Sequence, residues 1–167
     1  MNYLRIMDGI SDETGKMVGW LLLPMTALLV YAVVMRYFFK NPVVWAHESS
    51  LFLSASLGLL AGAPTLLHKG HIRVDVISGR LSPRKQAVLE VITGLLFFCP
   101  YCSLVGWFGL KGALRAIAMH ETSASLWAPV LWPIKLTIPI AALCLLIQWV
   151  AGFIRDLHLA IYGGELP

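Results

Sequence analysis

Two cysteines near the middle of the chain have the spacing of a thiol redox motif. The motif reads Cys99-Pro100-Tyr101-Cys102, and such a pair exchanges electrons when one thiol ionises readily, which requires access to water. The surrounding residues create the opposite environment, because residues 91–110 contain no charged side chain. A thiolate is disfavoured in apolar surroundings, so the sequence predicts two protonated cysteines that pack as small apolar groups.

The histidines and acidic residues do not indicate a reactive centre more strongly than the two cysteines do. All five histidines lie outside the long apolar runs, so a haem between spanning helices would lack axial ligands. His68, His71 and Asp75 have a spacing that could ligate a metal, although hydrogen bonding to headgroups and backbone is the commoner role of such residues. We therefore predict no catalytic residue, no metal site and no cofactor. A membrane redox subunit, using the thiols or a haem, is one alternative function.

The elements that hold these residues are membrane spans. The chain is 58% hydrophobic and only 13% charged, against about 25% charged residues in soluble domains. About 20 apolar residues suffice to cross a bilayer core. The uncharged runs at 17–35, 49–67, 91–110 and 136–154 predict spans at about 17–35, 49–67, 91–110 and 133–154. The predicted fold class is an all-α integral membrane protein, a single domain over residues 1–167 with four transmembrane helices. A short interfacial helix is predicted before the first span, within the first 16 residues.

The distribution of basic residues predicts how the chain is oriented. Eight lysines and arginines fall on the side that holds both termini, and five fall on the other side. The positive-inside rule therefore predicts cytoplasmic termini. The net charge of +4 is explained by topology and by contact with lipid headgroups, so membrane lipids are predicted partners and nucleic acid is not. A self-sufficient small transporter is a second alternative, but the first span contains no acid of the kind such a transporter needs.

Prolines mark the predicted ends of the later helices. Ser82 and Pro83 are typical of a helix start. A third helix from there to about residue 110 exceeds the bilayer thickness, which predicts tilt, a cytoplasmic extension or a kink at Pro100. Trp132 and Pro133 open the fourth helix, whose Lys135 and Pro139 are predicted to snorkel and to bend the helix, respectively.

Polar residues concentrate where the first span ends and the second begins. Arg36 closes the first span and Glu48 opens the second. Between them, Asn41 and Pro42 predict a turn, and Trp45 lies at headgroup depth. We predict that Arg36 and Glu48 form an ion pair, or share a hydrogen-bond network, that pins this hairpin on the non-cytoplasmic side.

These residues resemble a known family. "RYFFKNPVVWAHE" from Arg36, "GHIRVD" from Gly70 and the later Trp-Pro are similar to the DctQ family, the small membrane subunit of tripartite ATP-independent periplasmic (TRAP) transporters. The resemblance covers residues from Arg36 to about Gln148. The residues that we assign on this basis to structural or partner contacts are Arg36, Asn41, Pro42, Trp45, Glu48, Gly70, His71, Arg73, Asp75, Trp132 and Pro133.

The resemblance implies a non-enzymatic role shared with partners. It implies a small permease subunit in the bacterial inner membrane, within a sodium-coupled secondary importer of organic acids. A large membrane transport subunit would carry the substrate and sodium sites, and a periplasmic substrate-binding protein would deliver the substrate. The small subunit would be a fixed scaffold. Small residues on the second span would then pack against that partner or within this chain, namely Ser54, Ala55, Ser56, Gly58, Ala61, Gly62 and Ala63.

Overall fold

A computed structural model of the chain describes residues 2–67 and 83–162, and these residues are almost entirely helical. The helices are α1 Asn2–Tyr37, α2 Val44–Leu60, α3 Gly62–Leu67, α4 Pro83–Thr93, α5 Cys99–Ala118 and α6 Trp132–Tyr162, with a π-helical segment at Gly94–Phe98 between α4 and α5. Four stretches are long and apolar enough to cross a membrane, namely Ser11–Tyr37, Val44–Leu67, Val88–Ala118 and Trp132–Leu159. The prediction of four helices that are long and apolar enough to span a membrane is therefore confirmed. The predicted stop near Gly70, the Ser82 cap and the segment from Gly70 to Asp75 lie outside the described residues.

The helix that contains the first candidate span begins well before the predicted start of that span at residue 17. No break separates an N-terminal interfacial helix from the span, because α1 is continuous and its first internal proline is Pro24. Lys16 supports this continuity by pairing with Asp12 at 3.1 Å and with Glu13 at 2.7 Å along the same helix. Ion pairs at these spacings stabilise a helix modestly, so the polar residues before position 17 extend the helix.

The third span is irregular near its middle. Pro100 has no N–H to offer the preceding turn, and the five residues Gly94–Phe98 just before it form the wider π-helical turn. The Cys99 N–H donates to the Gly94 carbonyl instead. A π segment therefore lies in the turn before Pro100, and the kink predicted at Pro100 stays a prediction. From Pro83 to Ala118 the helix is about 54 Å long at 1.5 Å per residue, and it ends eight residues beyond the predicted 110.

Small residues allow the helices to approach closely. A Cβ added at Gly109 would lie 2.7 Å from Ile138 Cγ2, and one at Gly106 would lie 3.3 Å from the Ala142 Cβ. Both contacts join α5 to α6. The buried apolar residues are correspondingly small, and they include Ala46, Ala63, Ala113, Ala116, Ala141, Ala142 and Ala151. Helix interfaces lined by small residues are typical of helix packing in lipid.

The small residues of the second span divide between two surroundings. Ala63 is buried, and a Cβ at Gly62 would lie 3.2 Å from Leu145 Cδ2, so this end of the set packs against α6. Ser54, Ala55 and Gly58 are exposed instead. Within the described helices, packing inside this chain accounts for only part of the set.

Candidate functional site

The loop between α5 and α6 forms an ordered hairpin. The Leu131 N–H donates to the Glu121 carbonyl at 2.9 Å, and the Ser123 N–H donates to the Pro129 carbonyl at 2.9 Å. Thr122 and Val130 pair as an antiparallel bridge between these two bonds. We call residues 121–131 the α5–α6 hairpin. Because its backbone groups bond one another, the hairpin presents its side chains in a fixed arrangement.

Glu48 ties this hairpin to the start of α2. Its carboxylate accepts hydrogen bonds from the Ser123 hydroxyl and, at 2.5 Å, from the Ser125 hydroxyl. The Ser125 hydroxyl oxygen also accepts the Ala128 N–H at 3.2 Å, at the tip of the hairpin. Hydrogen bonds to a charged carboxylate are among the stronger ones in proteins. One side chain on α2 therefore fixes the position of a loop more than 70 residues later in the sequence.

The predicted ion pair between Arg36 and Glu48 was wrong. The Glu48 carboxylate bonds to the two serine hydroxyls, and Arg36 is exposed and forms no ion pair with it. Arg36 lies in the last turn of α1, where a cation is favoured by the helix dipole without any carboxylate partner. Near the start of α6, Lys135 Nζ pairs with Glu121 Oε2 at 2.5 Å, and its predicted snorkelling to the membrane interface stays a prediction.

The turn between α1 and α2 lies beside the tip of the hairpin. The Asn41 N–H donates to the Met35 carbonyl at 3.0 Å, which closes the end of α1, and the ring centroids of Trp45 and Tyr31 are 5.8 Å apart. A groove of about 430 Å³ lies here, lined by Pro42 of the turn and by Leu126 and Trp127 of the hairpin. Leu126 is 96% exposed. We call this assembly the loop-end face.

At the opposite end of the bundle, a polar network joins α1 to α6. The Ser11 hydroxyl donates to Gln148 Oε1 at 2.6 Å, and Gln148 Nε2 donates to Asp8 Oδ1 at 3.2 Å. Arg155 completes the network by pairing with the other Asp8 oxygen. Ser11 and Gln148 are buried, and a buried polar group is stable there only because it is bonded.

The sequence alone identified only some members of the Glu48 contacts and of the polar network between α1 and α6. Glu48 was identified, but Ser123 and Ser125 were not, because nothing in a local pattern places them beside α2. Gln148 offered a usable signal, since it is the one amide within the uncharged run of the fourth span. An amide carries no charge, so a search for intramembrane charges passes over it.

Comparison with known proteins identifies the family. Residues 25–159 match the family described as tripartite ATP-independent periplasmic transporters, DctQ component. The chain belongs to the DctQ family. A comparison with curated proteins found no match. DctQ proteins are the small membrane component of TRAP transporters, and the family functions with a large membrane subunit and a periplasmic binding protein.

The structure brings together some of the residues that the DctQ resemblance singled out. Asn41, Pro42 and Trp45 line the loop-end face, and Glu48 holds the hairpin beside it. Trp132 and Pro133 open α6, as predicted. The remaining residues, Gly70, His71, Arg73 and Asp75, lie outside the described residues. The DctQ match covers all of these positions, and their contact roles stay predictions.

The cysteines of this DctQ chain are all free thiols. Cys102 is 3% exposed and packs inside the bundle, whereas Cys99 is half-buried. Within residues 2–67 and 83–162, no group of three or more His, Cys, Asp or Glu side chains could hold a metal ion. A thiol exchange centre needs an accessible sulfur, so the buried position of Cys102 favours a packing role.

Proposed function

We propose that this DctQ chain is the scaffold subunit of a sodium-coupled, binding-protein-dependent importer of organic acids. It would lie in the bacterial inner membrane with both termini in the cytoplasm and hold a large subunit that carries the substrate and sodium sites. A periplasmic binding protein would deliver the substrate to that complex. The observation that supports this proposal most strongly is the family match over residues 25–159.

The positions of the charged groups agree with a scaffold role. The ion pairs Arg155–Asp8 and Lys135–Glu121 lie near opposite ends of the bundle. Between the two ends, the surfaces of the spans are mostly apolar, with exposed residues such as Leu23, Leu51 and Phe108. An ion path through the bundle would require polar or charged groups at the centre of the spans. This arrangement suits a chain that holds a transporting partner in place.

The exposed small residues of α2 are the surface that we propose for close contact with a helix of the large subunit. Ser54 and Gly58 are four residues apart on α2 and both are exposed, and small residues at this spacing let helices approach closely in lipid. Gly58→Leu should therefore reduce the yield of copurified large subunit at least tenfold. Gly112→Leu is the matched control, since a Cβ at either glycine meets nothing within 4 Å. Equal loss of partner in both variants, or in neither, would count against this surface.

Transport by purified components tests the function directly. The chain, the large subunit and the binding protein would be reconstituted in proteoliposomes and supplied with labelled organic acids and an inward sodium gradient. We expect uptake that requires all three proteins and collapses when the sodium gradient is removed. Uptake by this chain alone would support the self-sufficient transporter instead. Loss of uptake in the Cys99→Ala/Cys102→Ala variant at normal expression would support a thiol function.

A further inference from the structure

One side of α5 is exposed from the middle of the helix to its last turn. We call this side the α5 outer face, and its residues, all exposed, are Leu104, Trp107, Phe108, Lys111 and Arg115. With about 3.6 residues per turn, these positions lie on the opposite side of the helix from the glycines that pack against α6. The α5 outer face is therefore turned away from the helix that packs most closely on α5.

The two cations of this face lie at the boundary of the hydrocarbon core and just outside it. Lys111 is the first charged residue after the uncharged run at 91–110, and its Nζ lies 4.9 Å from the Trp107 ring centroid. This contact holds the ammonium back toward the apolar run, at the level of an indole of the kind that is enriched at membrane interfaces. Arg115 lies one turn farther out, about 6 Å along the axis at 1.5 Å per residue. The cations thus follow each other from the core boundary into the headgroup region.

Within the described residues, no carboxylate compensates these two cations. The ion pairs of the described chain involve neither Lys111 nor Arg115. The two acids at this end of the bundle are engaged elsewhere, because Glu48 bonds to two serine hydroxyls and Glu121 pairs with Lys135. An ammonium has three N–H donors and a guanidinium has five. Both cations therefore retain donors for an anion that lies beside the helix at headgroup depth.

We propose that the α5 outer face binds one anionic phospholipid, a phosphatidylglycerol. Its phosphodiester would bond to Lys111 and Arg115, and an acyl chain would lie along Leu104 and Phe108, which are 56% and 66% exposed. Charge complementarity favours this lipid, because the face has two cations and no carboxylate that could bind a headgroup ammonium. A zwitterionic headgroup would place its own cation beside Arg115. The site requires only that α5 crosses the bilayer, so it does not depend on the scaffold role.

Native mass spectrometry with added lipid tests this proposal. The full chain, with whatever copurifies from the membrane, would be titrated with phosphatidylglycerol, phosphatidylethanolamine and phosphatidylcholine of identical acyl chains. We expect one phosphatidylglycerol to bind at least tenfold more tightly than the other two lipids. Lys111→Gln/Arg115→Gln should abolish this preference. Arg36→Gln/Lys40→Gln is the matched control, since it removes the same charge from exposed positions at the same end of the bundle, and it should keep the preference.

The outcomes separate a lipid site from its alternatives. Equal loss of preference in both double variants, or no preference in the wild type, would show general electrostatic attraction and overturn the site. All four substituted side chains are exposed, so both variants should fold as the wild type does. A photo-reactive residue in place of Phe108 identifies the occupant in native membranes, and we expect it to crosslink to lipid. Crosslinking to a protein, or loss of a copurifying protein in Lys111→Gln/Arg115→Gln alone, would assign the face to that protein and overturn the proposal.

Discussion

The bond between Glu48 and the α5–α6 hairpin supports the most direct structural prediction. Glu48 accepts two hydroxyl hydrogen bonds, and each hydrogen bond to a charged group contributes about 1.5–3 kcal/mol. Glu48 is only half-buried, so the lower value applies, and two bonds give about 3 kcal/mol. Each 1.4 kcal/mol is a factor of ten. Glu48→Leu should therefore raise the opening equilibrium of the hairpin about 100-fold, and Glu48→Gln, which keeps one acceptor oxygen, about tenfold.

Hydrogen exchange of the chain in lipid nanodiscs measures this opening. The amides of Ser123 and Leu131 are bonded within the hairpin, and their exchange reports its local opening free energy. We expect the exchange of these two amides to accelerate about 100-fold in Glu48→Leu and about tenfold in Glu48→Gln. The amides of α2 and α6 should exchange as in the wild type. Glu13→Gln removes a carboxylate from an exposed pair with Lys16 and should leave the hairpin unchanged. Hairpin exchange within twofold of wild type in both Glu48 variants would refute the reasoning.

Three further predictions concern the interior of the bundle. Gly94→Ala should destabilise the protein by about 1–3 kcal/mol, because the added methyl group would overlap the Trp149 indole. Gly112→Ala, the control, should be neutral or stabilising by up to about 1 kcal/mol, and thermal unfolding of both variants measures the difference. Gln148→Leu should cost about 1–3 kcal/mol, since it removes two side-chain hydrogen bonds, and a midpoint equal to wild type would contradict this. Cys99→Ala/Cys102→Ala should leave complex yield and uptake unchanged, and a loss of uptake at normal yield would show that the thiols act.

The spans were predictable because lipid imposes a simple requirement on sequence. About 20 uncharged residues are needed to cross the core, and the chain has four such runs. The helix starts at Pro83 and Trp132 were also predictable, because proline is favoured in the first turn of a helix and disfavoured in its interior. The far end of the third span was not predictable in this way. The helix continues through Lys111 to Ala118, and Lys111 Nζ lies 4.9 Å from the Trp107 ring centroid on the same helix.

Side-chain partners were less predictable than spans. Periodicity shows which residues share a helix face but not which helix lies beside that face. Arg36 was the nearest opposite charge to Glu48 across a predicted turn, and the sequence therefore favoured it. The actual donors, Ser123 and Ser125, are neutral and lie 75 and 77 residues away. The π segment is similar, since only Pro100 marks it in the sequence.

The composition of the native complex tests the scaffold role most directly. The chain, tagged and expressed at native level, would be purified from membranes in mild detergent. Mass spectrometry would quantify copurifying proteins, and an absorbance spectrum would be recorded on the same sample. We predict a large multi-span membrane protein in about equal amount and a colourless sample. A chain that purifies alone, or one that carries a haem spectrum, would contradict the account.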